Sequence, residues 1–215
     1  MRAFIVLLVS LAFIAGCGGG AGDATESVAT ESDECASVET PEARDPESAE
    51  APTESLDTSK TYTLTFDTSC GSFTVTLDPE LAPKTTASLV ALANDGYFDG
   101  TIFHRVVPGF VIQGGDPTQT GAGGPGYSTV DVPPSDAAYT KGVVAMAKSG
   151  AEAPGTSGSQ FFVVTGDDAG LPPEYAVVGE VTNGLDTVMR IDALGVGDGP
   201  PSQPVVISSV TVGES

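Results

Sequence analysis

An arginine and the chain's single histidine open an apolar stretch, Phe103–Asp116 (FHRVVPGFVIQGGD). A charged side chain among Phe, Val, Pro and Ile is costly unless the charge is paired or used. We find no serine–histidine–acid arrangement, since His104 lies beside Arg105 in a predicted strand. The stretch therefore predicts a rigid apolar surface that carries one guanidinium group.

The sequence lacks the residue patterns that phosphate binding and metal binding require. The Gly-rich stretch 121–126 (GAGGPG) has no lysine and leads into no predicted helix, so we interpret it as a loop and not as a phosphate-binding site. The three cysteines, Cys17, Cys35 and Cys70, do not have the spacing of metal ligands. We therefore expect neither a metal ion nor another cofactor.

One reaction needs little beyond an apolar pocket and a fixed hydrogen-bond donor. The barrier to prolyl cis–trans isomerisation, about 18–20 kcal/mol, is the loss of amide resonance as the C–N bond rotates. The imide nitrogen of the twisted state is a better hydrogen-bond acceptor, and a preorganised donor in a water-poor site stabilises it. Arg105, with the amides of Gln113 and Gln160 among apolar residues, fits this reaction.

The N-terminus predicts export. Residues 1–17 (MRAFIVLLVSLAFIAGC) have one basic residue, a short apolar run and then small residues, as in a secretory signal. Residues 14–17 (IAGC) are similar to the lipobox of bacterial lipoproteins, in which the cysteine is diacylated and becomes the mature N-terminus. We expect a lipid anchor on Cys17 and an extracytoplasmic location at the cell membrane. The alternative is an ordinary cleaved signal with an incidental cysteine.

Residues 18–60 are predicted to be a disordered tether. They hold twelve acidic and two basic residues and almost no large apolar side chains, so they bury too little surface to offset the entropy of ordering. A small folded acidic domain is the alternative. A disulfide between Cys35 in this segment and Cys70 in a predicted turn is also possible for an exported protein.

The net charge of −21 excludes some partners. A strongly acidic chain without a basic patch argues against binding to nucleic acid or to anionic lipid headgroups, both of which need Lys and Arg. The charge favours solubility.

From residue 61 onward the pattern changes to short strands with two helices. Polar and apolar residues alternate over 61–66 and 73–77, which predicts a hairpin. Helical spacing indicates helices over 82–94 and 185–193. Further strands are predicted over 102–107, 110–113, 142–147, 160–165, 176–181 and 205–212. This composition favours an antiparallel barrel or sandwich over residues 61–215.

The central stretch closely resembles the main motif of the cyclophilin-type peptidyl-prolyl isomerases. Residues 116–127 (DPTQTGAGGPGY), 142–147 (GVVAMA), 157–163 (SGSQFFV) and 175–181 (YAVVGEV) are similar to further blocks of that family, in the same order, over about residues 61–213. The resemblance implies an all-β-dominated fold, a closed eight-stranded antiparallel β-barrel capped by two α-helices. It also implies that Pro-containing polypeptides are substrates.

The resemblance assigns site residues one by one. Arg105 matches the catalytic arginine, and the substrate-binding residues are expected to be Phe110, Val111, Gln113, Ala147, Lys148, Gln160, Phe162, Leu171 and Tyr175. Phe103 and Phe161 alternate with pocket residues along strands, so we expect them in the core.

Four positions depart from the common family pattern. Val111 stands where many members have Met, Lys148 replaces Asn, and Tyr175 replaces the His of many eukaryotic members. Gly170 falls where many members have a Trp that contacts cyclosporin, so we expect weak or no binding of that drug.

Two functions stay open. One is a lipid-anchored isomerase that helps exported chains to fold, with a monomer as the expected state. The other is a non-catalytic module that binds Pro-containing segments of a cell-envelope partner. Arg105 itself has an alternative role, as a structural arginine paired with an acid under a loop.

Overall fold

The computed structural model describes residues 34–45 and 49–215. The predicted signal sequence over 1–17, the lipidation site Cys17 and the first part of the predicted tether lie outside the described residues. Within the described part, no helix is both long enough and apolar enough to cross a membrane.

Eleven strands and two helices make up the secondary structure of the described residues. In chain order they are β1 (Tyr62–Thr68), β2 (Gly71–Leu77), α1 (Pro83–Asn94), β3 (Thr101–Ile102), β4 (Arg105–Val107), β5 (Val111–Gly114), β6 (Thr129–Val130), β7 (Val143–Met146), β8 (Thr156–Ser157), β9 (Phe161–Val164), β10 (Val177–Asn183), α2 (Leu185–Asp192) and β11 (Val206–Glu214). The predicted hairpin and both predicted helices are confirmed, with helix ends within one residue. The two-residue strands β6 and β8 were not predicted, because two residues are too short to show a period.

The main sheet is open, which corrects the expected closed eight-stranded barrel. Nine strands pair in the order β3-β11-β1-β2-β10-β7-β9-β5-β4, all antiparallel, and β6 pairs with β8 in a separate small sheet. The end strands β3 and β4 pair with different neighbours, β11 and β5. The predicted strand over 102–107 is therefore two strands, and the result is a strongly curled half-barrel.

The curl follows from the chain between the end strands. Only Phe103 and His104 separate β3 from β4, and the three residue steps from Ile102 to Arg105 span at most about 11 Å. The two ends of a nine-stranded sheet must therefore lie close together. An isolated bridge between Ile102 and Asp116 joins the β3 end to the residues after β5.

The concave face of the sheet encloses the core. Phe66 and Phe73 lie opposite each other in the β1–β2 hairpin and stack with ring centroids 4.8 Å apart. Phe103 and Phe161 are buried and meet edge to face at 6.1 Å, which confirms their predicted place in the core. Offset and edge-to-face aromatic pairs add to the stabilisation that burial provides.

Helix α1 obtains its N-terminal cap from a distant residue. Ala82 at the N-cap has no side chain that can accept a hydrogen bond. The buried carboxylate of Asp131 takes this role, because Asp131 Oδ2 accepts from the N–H groups of Lys84 at 3.0 Å and Thr85 at 2.7 Å. The same oxygen accepts from the Thr85 hydroxyl at 2.7 Å.

Disorder is predicted over residues 18–60, and the structure describes part of that segment, over 34–45 and 49–60. Residues 34–45 and 49–60 contain no helix or strand, yet they lie on the domain. Cys35 is disulfide-bonded to Cys70, and backbone N–H groups of Ala36, Arg44 and Ala49 donate to Ser69 O, Pro117 O and Pro125 O. Disorder is predicted from composition because composition reports only the apolar surface that a segment can bury by itself. Here the folded domain supplies the hydrogen-bond acceptors and the second cysteine.

We predict that Asp131→Ala destabilises the domain by about 1–3 kcal/mol, because two N–H groups and a buried hydroxyl lose their acceptor. Urea unfolding followed by circular dichroism measures the change. The control is Asp136→Ala, which removes an exposed carboxylate five residues away. Equal stability of the two variants would contradict the capping role.

We predict that Cys35→Ser lowers the free energy of unfolding by about 3–4 kcal/mol, because the disulfide closes a loop with a sequence separation of 35. The measurement is equilibrium unfolding of the oxidised protein, with exposed Ser37→Ala as the control. Reduction by dithiothreitol should bring the wild-type protein close to the variant. A wild-type protein with free thiols at positions 35 and 70 would refute the pairing.

Candidate active site

A cavity of about 230 Å³, lined by both apolar and polar side chains, opens on the outer face of the curled sheet. Its lining contains nine of the predicted site residues, namely Arg105, Phe110, Val111, Gln113, Ala147, Lys148, Phe162, Leu171 and Tyr175. The tenth, Gln160, lines a neighbouring cavity of about 550 Å³ beside the Gly-rich loop 121–125. Gln113, Ala147 and Lys148 line both cavities.

Strand register brings the central residues into one row. Arg105 in β4 lies opposite Gln113 in β5, and Gln113 lies opposite Phe162 in β9. Phe162 in turn lies opposite Ala145 in β7. Residues directly opposite across neighbouring strands project from the same face of a sheet. The alternate row, with Val106 and Ile112, projects into the core.

A second apolar cluster forms the floor of the cavity. Val111, Tyr139, Ala145, Phe162 and Val164 are buried there, separate from the main core, and Phe110, Leu171 and Tyr175 pack against them. The rings of Phe162 and Tyr175 meet edge to face with centroids 5.7 Å apart. The cavity walls are thus fixed by packing on a rigid sheet.

Tyr139 supports this floor and was not identified from the sequence. Its hydroxyl donates to Tyr175 O at 2.8 Å and accepts from Tyr175 N at 3.0 Å. Burial raises the pKa of the Tyr139 hydroxyl, so it stays protonated and can serve as donor and acceptor at once. Tyr139 lies in a loop before β7, where no periodicity marks it.

The Arg105 guanidinium is held from two sides. Nη1 donates to Gln113 Oε1 at 3.3 Å, while Nε and Nη2 donate to the two carboxylate oxygens of Asp198 at 2.5 and 3.1 Å. The group also lies 5.9 Å from the ring centroid of Phe110. Arg105 therefore both pairs with an acid and lines the cavity. Asp198 was not identified from the sequence, because it lies in a Gly-rich loop far along the chain.

The guanidinium keeps two unused donors. An arginine side chain has five N–H bonds, and three are used by Gln113 and Asp198. Among the described residues, one N–H on each of Nη1 and Nη2 has no hydrogen-bond acceptor. A fixed cation with free donors thus borders a partly apolar cavity.

A chain of side-chain amides orients Gln113. Its Nε2 donates to Gln160 Oε1 at 3.1 Å, and Gln160 Nε2 donates to Gly123 O at 2.9 Å. With both of these bonds made, Gln113 Oε1 is directed at Arg105. Gln160 thus contacts Gln113 and lines the neighbouring cavity of about 550 Å³.

The Lys148 side chain is buried, and its ammonium group bonds to residues of two loops. Its side chain is only 3% exposed, and Nζ lies 3.0 Å from Glu174 Oε2. Nζ also donates to the carbonyl oxygens of Glu152 at 3.3 Å and Ser149 at 3.5 Å, so all three ammonium donors are used. Lys148 therefore ties two loops together beside the Tyr175 ring, which lies 5.4 Å from Nζ.

His104 does not join the cavity lining. Burial is the main cause that lowers the pKa of its imidazole, and the charge of Arg105 acts in the same direction against that of Asp116. The ring is therefore neutral near pH 7. Among the described residues, no group of three or more His, Cys, Asp or Glu side chains is placed to hold a metal ion.

Comparisons with known proteins find a matching family model and similar proteins. Residues 63–212 match the family model described as cyclophilin type peptidyl-prolyl cis-trans isomerase/CLD. A probable peptidyl-prolyl cis-trans isomerase A of Mycobacterium leprae is 39% identical over 170 residues, which cover 70% of this chain and 91% of that protein. Peptidyl-prolyl cis-trans isomerase A of Mycobacterium tuberculosis is 37% identical, covering 71% and 92%.

A solved structure shows the same fold. The crystal structure of a cyclophilin type isomerase of Cryptosporidium parvum superposes with a TM-score of 0.65 at 31% identity and covers 71% of this chain and 98% of the other. The family match spans nearly all of the curled sheet and both helices, and the relatives named here are covered almost completely. The resemblance first noted in the sequence is confirmed, and the chain belongs to the cyclophilin-type peptidyl-prolyl cis–trans isomerases.

Proposed function

We propose that this isomerase accelerates rotation about X–Pro bonds in exported polypeptides, with Arg105 as the hydrogen-bond donor to the twisted imide. The observation that carries the proposal is the guanidinium with two unused N–H donors at the edge of a partly apolar cavity. Membership of the family supports the reaction, and the geometry of Arg105 supports its role.

The cavity suits a proline ring. Phe110, Val111, Phe162, Leu171 and Tyr175 offer apolar surface on several sides, and a five-membered ring buried there is restrained while the preceding carbonyl swings. We propose that the Gln113 amide and the Ala147 carbonyl oxygen hold the peptide backbone, since the Ala147 N–H already donates to Gln160 O at 2.9 Å. Binding energy from these contacts then orients the substrate for rotation.

Arg105 acts on the barrier itself. As the C–N bond twists, resonance is lost and the imide lone pair localises on nitrogen. A donor already fixed at this point stabilises the twisted state more than the planar one, and such preorganised donors do not reorganise during the reaction. Each 1.36 kcal/mol removed from the barrier gives a tenfold rate increase.

The substrate compartment is proposed from the N-terminus. Residues 1–17 have the pattern of a lipoprotein signal ending at Cys17, which would place the enzyme on the outer side of a cell membrane. The Cys35–Cys70 disulfide supports an oxidising compartment. Clients would then be exported chains that fold near that surface. Weak cyclosporin binding is proposed as well, because Gly170 offers no side chain to the drug.

We predict that Arg105→Ala lowers kcat/KM on the order of 100-fold or more, because a preorganised donor is lost. NMR exchange spectroscopy on an Ala-Pro-Phe peptide measures the rate, and circular dichroism checks the fold. Arg44→Ala is the control, since Arg44 donates to the backbone of Tyr97 and Asp99 and does not line the cavity.

A wild-type rate in Arg105→Ala would disprove the proposed role of the guanidinium. A wild-type protein that binds the peptide without accelerating exchange would instead favour the binding module, in which the fold serves recognition of a cell-envelope partner.

We predict that the protein takes up fatty acid through Cys17. Bacterial cells expressing the chain are labelled with an alkyne-tagged palmitate, and labelling is expected for the wild type and absent from Cys17→Ala. Cys35→Ser is the matched control and should keep its label. Equal labelling of Cys17→Ala and wild type would mean that the cysteine is incidental.

A further inference from the structure

The guanidinium of Arg105 and the carboxylate of Asp198 meet side-on in a two-point contact. Nε and Nη2 face Oδ1 and Oδ2 at 2.5 and 3.1 Å. This fork geometry fixes the plane of the guanidinium as well as its position. By contrast, Gln113 Oε1 accepts only a single hydrogen bond, from Nη1 of the guanidinium at 3.3 Å.

The backbone places Asp198 at this point. Strand β4 is the end strand of the sheet, and its Val106 N–H is paired by Gly199 O at 2.8 Å in an isolated bridge. Asp198 immediately precedes Gly199, as Arg105 immediately precedes Val106. Because this bridge is antiparallel, the two preceding residues lie diagonally across it on the same face, and the long Arg105 side chain reaches Asp198 at the edge of the sheet.

The loop that carries Asp198 is held close to β4. Ser202 N donates to Leu194 O at 2.8 Å and closes the base of the loop. Gly195 lies against Pro108, where a Cβ atom would come within 2.7 Å of the proline ring. A side chain at position 195 would thus push the loop away from the sheet, so the glycine permits the approach.

Asp198 restrains the arginine without covering its working donors. It uses one N–H on Nε and one on Nη2, and the remaining donors are on the Nη atoms. The Asp198 side chain is 67% exposed and does not line the cavity. A peptide in the cavity and the carboxylate of Asp198 can therefore contact the guanidinium at the same time.

We propose that Asp198 is a positioning residue that holds the Arg105 guanidinium in the plane required for donation to the twisted imide. This inference rests on the proposed role of Arg105. Without the carboxylate, the side chain keeps one long bond to Gln113 and the face of Phe110, and it samples other rotamers. Misplacement of a catalytic group by about 1 Å can cost on the order of 100-fold in rate.

The test compares full-length wild type, Asp198→Ala, Asp198→Asn and Asp198→Glu by NMR exchange on the Ala-Pro-Phe peptide. We expect kcat of Asp198→Ala to fall about tenfold with KM changed less than twofold, because Asp198 orients the donor and does not touch the peptide. Asp198→Glu should recover part of the rate, since it keeps a carboxylate. The rate of Asp198→Asn should fall between those of Asp198→Ala and Asp198→Glu.

The matched control is Asp186→Ala. Asp186 also pairs with an arginine, Arg190, at 2.9 Å and is 72% exposed, but the pair lies on α2 away from the cavity. Its kcat should equal that of the wild type. A fall as large as that of Asp198→Ala would show that loss of any such ion pair is enough, and would overturn the proposal.

A double-mutant cycle separates positioning from a general structural effect. If Asp198 acts through Arg105, adding Asp198→Ala to Arg105→Ala lowers the residual rate no further. The ¹⁵Nε–¹Hε resonance of Arg105 gives a second readout, which should shift and broaden in Asp198→Ala.

The outcomes also separate the two proposals. Full activity of Asp198→Ala together with an inactive Arg105→Ala would overturn the positioning role alone. Full activity of Arg105→Ala would overturn the proposed catalytic role, and with it the reason for positioning.

Discussion

The two-residue connection between β3 and β4 is the constraint on which the architecture depends. These strands stand at opposite ends of the nine-stranded order, yet only Phe103 and His104 join them. The sheet therefore curls until its ends lie side by side, which encloses the aromatic core on the concave face. The same connection makes β4 an end strand. Its free edge is then met by the loop after α2 instead of by another strand, and this loop brings Asp198 to Arg105.

The same strands carry the core on one face and the site on the other. Along β4, β5 and β9, the row Arg105, Gln113 and Phe162 projects outward, while Val106, Ile112 and Val163 project into the core. Precise placement of the outer row follows from close packing of the inner row, because a core at crystal-like density does not let a strand slide. Arg105, Gln113 and Phe162 all lie on paired strands and not on loops. This suits a reaction in which the substrate rotates and the enzyme provides fixed surfaces and donors.

The hairpin, the helices and the cavity residues could be predicted because local patterns or family motifs mark them. The β1–β2 hairpin alternates cleanly because only one of its faces is buried, and both helices show their period and their ends. The cavity residues were found through motif resemblance, since both faces of β9 are buried and no alternation marks Phe162. The open sheet, Tyr139 and Asp198 were missed for a common reason. Each depends on contacts between residues far apart in the chain, which no local period records.

The described part of the segment before the half-barrel also depends on contacts between residues far apart in the chain. It lies outside the family match over 63–212, and it bonds through Arg44 and Ala49 to the backbone of the loop at 117–125. That loop is also wrapped around Asp116. Burial raises the pKa of this carboxyl, but hydrogen bonds from Thr118, Gly123 and Gly121 outweigh burial and lower it overall, so Asp116 is ionised.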